Sequence, residues 1–566
     1  MRLLSVLVGT RKGIHRGGFG QRVVNPQNVI LALASVAALR TNAPSPKTRY
    51  WLRNGIEISR RTKRSDWLLR LENGTLEPMS QKPKIHTLSE LKATPWRSRS
   101  VRDELRENLL ERLRLGQKLF PGLHGYDDTV VRALAHALLA RHDILLMGLR
   151  GQGKTRLLRQ LPSLLDEWMP ALAGTELRED PYAPVTSAGR RLVSEGGEDT
   201  PLEWIHRDER YREKLATPDT SMADLIGDVD PVKAVSQGLG FGHEDAVQWG
   251  IVPRSNRGIF AINELPDLQP RIQVGLLNLL EERDLQIRGI PLRLDLDLMF
   301  AFSANPEDYT QRGNLITPLK DRIGSQILTH YPKDTATSRA ITDQEAWTGR
   351  GGVDVRIPSP LREAVERIAF EGRRWTDFVD SRSGVSQRLS IAALEMLHSA
   401  VETRCAMLGT NSGRARLVDL FATIPAITGK LELVSELESP HQIAFTLIAK
   451  SCRSVFDSTF RNPGEKRRQN PSEEPDQPVT GWFDSGNTLE LSADASDDDH
   501  LEALDSISAL EGVMRSLALD PRWDPGQDLA AWKEIFLEGL HQHGRIKRGV
   551  RDGAIGFGDA VSETVG

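Results

Sequence analysis

The period of the hydrophobic positions changes along the chain. From Val101 the apolar residues Leu105, Leu109, Leu110 and Leu113 recur at helical spacing, and Val130, Leu134, Leu138 and Leu139 repeat the pattern, so two helices are predicted there. Unbroken apolar runs follow: Ile144–Met147, Ile259–Ile262 and Leu298–Phe302. Short continuous runs belong to strands buried on both faces, as in parallel sheets covered by helices. Beyond about Pro332 the strand signals fade, and Leu361, Val365, Ile368, Ala369 and then Ile391, Leu394, Leu397, Val401 return to the helical period. The expected fold is α/β, a parallel sheet flanked by helices and followed by a helical domain.

Both ends depart from this pattern. Residues 462–478, rich in Pro, Glu, Arg and Gln, read as a solvated linker, which the aspartates between Asp494 and Asp499 extend. After it, Leu501, Leu504, Ile507, Leu510 and Leu529, Trp532, Phe536, Leu540 mark two amphipathic helices whose apolar faces need a cover, from the core or from a partner. Residues 1–78 hold fourteen Lys and Arg against four Asp and Glu, with turn signals at Gly17-Gly18 and Asn42–Pro46 and a basic cluster at Arg60, Arg61, Lys63 and Arg64. A basic arm for nucleic acid is one reading of this segment. The preferred expectation is that Met79 is the native start and residues 1–78 are over-called. The expected division is a basic N-terminal segment 1–78, an α/β core 79–334, a helical domain 335–460, a polar acidic linker 461–500 and a C-terminal helical segment 501–566.

A chain of 566 residues has length for two or three folded units. Its 39% hydrophobic and 27% charged residues are those of a globular protein. Cys405 and Cys452 are too few for a disulfide framework or a four-cysteine zinc site. No apolar run reaches the roughly 18 residues of a membrane span; Val29–Leu39 is interrupted by Ser35 and lacks the compact basic start of a secretory signal. A cytoplasmic location without membrane association is expected.

The chemistry concentrates first in Gly148-Leu149-Arg150-Gly151-Gln152-Gly153-Lys154-Thr155, a complete phosphate-binding P-loop pattern between a predicted strand and a predicted helix. Gly148, Gly151 and Gly153 allow the backbone to turn tightly enough for successive N–H groups to converge on phosphate oxygens. The helix after it, with Leu157, Leu158, Leu161, Leu164, Leu165 and Trp168 on one face, points its positive end at a triphosphate. Lys154 is expected on the β and γ phosphates of ATP and the Thr155 hydroxyl on Mg2+.

The strand Gly258–Ile262 runs into Asn263 and Glu264, where the acidic Walker B pair normally stands. Glu264 is the candidate base that polarises the attacking water. Asn263 is the candidate metal-shell residue, and an amide where Asp is usual removes a full charge from the Mg2+ shell. An alternative is that both residues merely cap the next helix, marked by Ile272, Leu276, Leu277 and Leu280.

These motifs continue in an order that resembles AAA+ ATPases of the magnesium chelatase motor-subunit and MoxR branch. After the P-loop come Ala223-Asp224-Leu225-Ile226-Gly227-Asp228-Val229-Asp230, Asn256-Arg257-Gly258, Leu279-Leu280-Glu281-Glu282, a hairpin-like Leu285–Leu294 turning at Gly289-Ile290-Pro291, and Ser303-Ala304-Asn305-Pro306. The resemblance covers roughly residues 100–440 and implies a P-loop AAA+ core with a helical lid. It makes Asn305 the sensor 1 residue reading the γ-phosphate or the lytic water. It makes Arg322, in Leu319-Lys320-Asp321-Arg322, an arginine finger acting on a neighbouring subunit's nucleotide, with a surface ion-pair role as the alternative. Arg388, in Ser386-Gln387-Arg388, becomes the sensor 2 arginine, with Arg382 as its rival.

A finger acting in trans implies self-association in a ring, usually a hexamer. The expected function is an ATPase that remodels a protein partner, a von Willebrand factor A domain protein. The alternatives are a true magnesium chelatase subunit inserting Mg2+ into a porphyrin, and a nucleotide-switched scaffold with little turnover. Nucleic acid is not expected as the substrate, because the sequence after Met79 is acidic and shows no basic stripe.

Overall fold

The computed structural model describes residues 69–72, 75–78, 81–236, 238, 243–281, 284–287, 290–306, 315–435, 437–462, 474–551 and 553–559. The chain divides into two compact units, Met1–Lys82 and Pro83–Gly566. In the first, Leu69–Glu72 and Thr75–Pro78 pair as an antiparallel hairpin. The turn signals and basic cluster of the basic segment, Met79, the Gly289 turn, Glu282 and most of the Pro/Glu/Arg/Gln-rich linker lie outside the described residues.

In the second unit, after a short helix at Leu88–Lys92, come helix α1, Val101–Arg114, capped by the Ser100 hydroxyl accepting from the Asp103 N–H, and α2, Val130–Leu139. Five parallel strands follow: β1 Ile144–Met147, β2 Tyr211–Leu215, β3 Gly258–Asn263, β4 Leu298–Ala304 and β5 Ser325–Leu328. They lie side by side in the order β5-β1-β4-β3-β2. Between them run α3 Lys154–Gln160, α4 Pro270–Glu281 and α5 Thr317–Arg322.

Alternation along the strands explains the unbroken apolar runs. Ile144, Leu146, Ile259, Ala261, Met299 and Ala301 meet α1, α2 and α3 through Leu105, Leu109, Val130, Leu134, Leu157 and Leu158. Leu145, Met147, Phe260, Ile262, Phe300 and Phe302 meet Ile272, Leu276 and Leu319 on the other face. Both faces are dry, so no polar position interrupts the pattern.

One expectation is corrected here. The apolar face read from Leu157 through Trp168 is not one helix: α3 stops at Gln160, Leu161–Leu164 is a single 3-10 turn, and Trp168 begins the strand Trp168–Leu172, paired antiparallel with Leu202–His206. Pro162 explains the break, because it carries no N–H to continue the helical ladder.

The C-terminal part is mainly helical, built on α6 Ser359–Arg374, α7 Arg388–Leu408, α8 Pro440–Thr459 and α9 Leu529–Gln542. A three-stranded antiparallel sheet, β6 Leu489–Ser492, β7 Lys547–Arg551 and β8 Ala554–Gly558, closes it. One hydrophobic core runs through this whole part, from Leu361 to Phe557, and includes Leu504, Ile507, Leu510, Phe536 and Leu540. The core of the chain itself therefore covers the apolar faces of the last helices. Cys405 and Cys452 are buried and unpaired thiols. Among the described residues, no helix is long and apolar enough to cross a membrane.

A buried ion pair ties α1 to the sheet. Arg210, just before β2, donates to both Glu104 oxygens at 2.7 and 2.6 Å and from Nε to the Arg257 carbonyl, just before β3, at 2.9 Å. Glu104 also accepts the Asp166 N–H at 2.7 Å. Glu104→Ala leaves the guanidinium buried without its counter-charge, so urea unfolding is expected to show a loss of roughly 3–5 kcal/mol. A loss below about 1 kcal/mol would show that the pair does not hold the strands.

Candidate functional site

β1 ends at Met147 and α3 starts at Lys154, so residues 148–153 form the turn between them at the carboxyl edge of the sheet. Gly151 and Gly153 sit at φ 71° and 74°, where a side chain is strained. Gly151 has a second reason to be glycine: a Cβ there would come within 1.8 Å of Ser386 Oγ.

The carbonyls of this turn are held from behind. The Tyr126 hydroxyl reaches the Gln152 carbonyl at 2.6 Å and the His330 carbonyl at 2.9 Å, and the Tyr331 hydroxyl donates to the Arg150 carbonyl at 2.8 Å. Thr329 Oγ1 donates to Gln152 Oε1 at 2.6 Å. In a trans peptide the C=O and the following N–H point opposite ways, so fixing the oxygens of Arg150 and Gln152 also fixes the N–H directions of Gly151 and Gly153. Burial pushes the Tyr126 phenol up to about 12, which keeps it a donor.

Polar residues from separate strands converge beside the turn. Buried Lys154 directs Nζ to the carbonyls of Gly148 and Leu149, the latter at 3.0 Å, and to Asn305 Oδ1 at 2.5 Å. Asn305 Nδ2 donates to Glu264 Oε2 at 2.7 Å. Ser303 Oγ donates to Asn263 Oδ1 at 3.0 Å, and Thr155 Oγ1 lies 3.4 Å from the same oxygen. Glu264 occupies the N-cap position of the turn Leu265–Asp267 but makes no side-chain cap bond. Its backbone is left-handed, φ 56° and ψ 49°, a conformation that costs a residue with a Cβ about 1–3 kcal/mol and directs the carboxylate to Asn305.

The helical part touches the turn directly. Arg150 pairs with Glu432 and donates from Nε to the Ser383 carbonyl at 3.2 Å. Arg388 opens α7 exposed, its backbone N–H donating to Ser386 Oγ at 3.1 Å. Arg382, largely exposed, pairs with Asp380 at 2.9 Å. Arg373 is the arginine packed into this contact: its guanidinium lies 4.1 Å over the Tyr331 ring, and Nε donates to the Val385 carbonyl at 3.0 Å. Burial lowers its pKa to about 10. Arg322 is exposed on α5, and its Nη1 reaches the Pro318 carbonyl at 3.1 Å.

The structure thus brings together Lys154, Thr155, Asn263, Glu264 and Asn305, and leaves Arg322 and Arg388 exposed. Tyr126, Thr329, Tyr331 and Arg373 were not read from the sequence. Tyr126 is 26 residues from Gln152 and 204 from His330, and no local pattern connects them. Ser303 carried a signal, since it sits beside Asn305 at the end of an apolar strand.

The donor set fits a polyphosphate and a hard cation. Oriented N–H groups, a helix N-terminus and an ammonium suit phosphate oxygens. Thr155 Oγ1 and Asn263 Oδ1 are oxygens of the kind that suit Mg2+, directly or through water.

No protein-family model matches the chain, and no curated protein matches it. Among solved structures it is similar to NtrX from Brucella abortus, at 12% identity over 52% of this chain and 53% of that chain, with a TM-score of 0.28. A complex of magnesium chelatase subunits BchI and BchD is 19% identical over 58% of this chain and 98% of that one, with a TM-score of 0.30. A Cytophaga hutchinsonii protein described as an ATPase is 15% identical over 62% and 94%, with a TM-score of 0.25. The chain spans about half the length of the NtrX structure it matches.

Tyr126→Phe removes the shared donor from two carbonyls and is expected to lower stability by about 1–3 kcal/mol. Hydrogen–deuterium exchange across residues 148–155 should quicken with it. Unchanged exchange in that peptide would show that the hydroxyl does not brace the turn.

Proposed function

We propose that the chain binds ATP with Mg2+ at residues 148–155 and hydrolyses it, as a ring-forming AAA+ motor of the magnesium chelatase/MoxR type. The single observation that carries this reading is the hydrogen-bonded series Lys154–Asn305–Glu264, assembled from the start of α3 and the ends of β4 and β3. A capping pair would not need it.

In this reading Gly148, Leu149, Arg150, Gly151, Gln152 and Gly153 wrap the β and γ phosphates with their N–H groups, and Lys154 exchanges its carbonyl partners for phosphate oxygens. Thr155 and Asn263 would hold Mg2+, which would supply positive charge to offset that of the phosphates. Glu264 orients a water and accepts its proton, and the Asn305 amide holds that carboxylate and the water in line. Arg388 reports the nucleotide state to the helical part through Ser386, which packs on Gly151.

Arg322, exposed on its short helix, acts on a neighbouring subunit's nucleotide, which makes the active form an oligomer, a hexameric ring. The work done is remodelling of a protein partner of the von Willebrand factor A domain kind; the order of motifs supports this choice. A switching scaffold is the second reading, favoured by the amide at Asn263.

Lys154→Ala is expected to abolish ATP retention in equilibrium dialysis. Glu264→Gln should keep binding and lower steady hydrolysis roughly 100-fold or more. Wild-type protein that binds ATP but never turns it over decides for the scaffold. Mixing Arg322→Ala with Lys154→Ala should restore hydrolysis absent from either alone. No recovery in the mixture would exclude a finger acting in trans.

A further inference from the structure

Arg373, in the last turn of α6, reaches away from its own helix toward the glycine turn. Its guanidinium carbon lies 4.1 Å from the centre of the Tyr331 ring and 5.2 Å from that of Phe370. Nε donates to the Val385 carbonyl at 3.0 Å, and Nη2 donates to Gln387 Oε1 at 3.4 Å. Nη1 is buried without a hydrogen-bond partner among the described residues, so the electron-rich ring faces meet the part of the charge that hydrogen bonds leave over. The far end of the Tyr331 ring is the hydroxyl that donates to the Arg150 carbonyl at 2.8 Å. Gly384, at φ 71°, closes over that hydroxyl: a Cβ there would come within 2.6 Å of it and 2.7 Å of Leu149 Cδ1. A cation on the face of a phenol draws electron density from the oxygen and makes its O–H a stronger donor, and the effect grows where packing keeps water out.

We propose that Arg373 is a positioning residue for nucleotide binding that acts through Tyr331: its charge strengthens the bond from the Tyr331 hydroxyl to the Arg150 carbonyl and so holds the Gly151 N–H toward the phosphate side of the turn. The same guanidinium holds Val385 and Gln387, in the segment that leads into α7, so one side chain sets both the direction of the turn and the place of that segment. The proposal rests on the reading of residues 148–155 as an ATP site.

The test is a double-mutant cycle between Arg373 and the Tyr331 hydroxyl, read by the affinity for a fluorescent ribose-labelled ATP and by hydrogen–deuterium exchange across residues 148–155 in the nucleotide-free protein. Arg373→Met is expected to weaken binding about tenfold and to quicken exchange in that peptide, and Arg373→Lys, which keeps a cation for the ring, to do less. Tyr331→Phe keeps the ring and removes only the donor, so Arg373→Met should add little in that background. Arg373→Gln, which can still donate to the Val385 carbonyl, serves the same cycle where the methionine variant does not fold. A residue that merely packs α6 against the segment would give losses that add. Equal losses with and without the Tyr331 hydroxyl, or no change in affinity or exchange, overturn the role of Arg373 and leave the ATP site standing. A wild-type protein that retains no labelled ATP overturns the ATP site, while exchange in the free protein still decides whether Arg373 acts on the turn through Tyr331.

Discussion

A peptide unit cannot turn its carbonyl without turning the N–H of the next residue, and the site depends on that rigidity. The turn between β1 and α3 has to present several N–H groups to one concave side while its oxygens find partners on the other. In this chain the partners are phenols, Tyr126 and Tyr331, together with the Lys154 ammonium. Each phenol is a strong donor on a stiff side chain, so the direction of the turn is set by residues well outside it. The strain of φ above zero at Gly151 and Gly153 is absorbed by the absence of side chains.

The same contacts join the site to the rest of the molecule. Tyr331 bonds the turn with its hydroxyl and carries Arg373 on its ring, while Arg373 bonds the Val385 carbonyl in the segment that leads into α7. Ser386 in that segment fits against Gly151, and Arg150 reaches Ser383 and Glu432. A movement of the turn by even a fraction of an ångström meets packed atoms in the helical part, and closely packed interiors transmit such movements instead of absorbing them.

At the strand ends the chemistry is a matter of neighbours. Asn305 lies between the Lys154 ammonium and the Glu264 carboxylate, taking a hydrogen bond with its oxygen and giving one with its nitrogen. One strand over, Asn263 Oδ1 accepts from the Ser303 hydroxyl and lies 3.4 Å from Thr155 Oγ1. An amide suits the place of Asn305 because it must serve a donor and an acceptor at once.

The sequence alone determined the elements that depend on local pattern: the buried strands Ile144–Met147, Ile259–Ile262 and Leu298–Phe302, the glycine turn with Lys154 and Thr155, and the change to helical period after Pro332. Their physics is burial and backbone freedom, and both are written in consecutive residues. Reading one helix through Trp168 overran because the apolar spacing continued past Pro162 while the N–H ladder did not. Tertiary structure alone decided the strand order, the bracing of Arg150 and Gln152 by Tyr331 and Tyr126, the packing of Arg373 on the Tyr331 ring, and the pairing of Arg159 with Glu213. Those are relations between residues tens to hundreds of positions apart, and they exist only once the sheet has set its register and the helical core from Leu361 to Phe557 has closed.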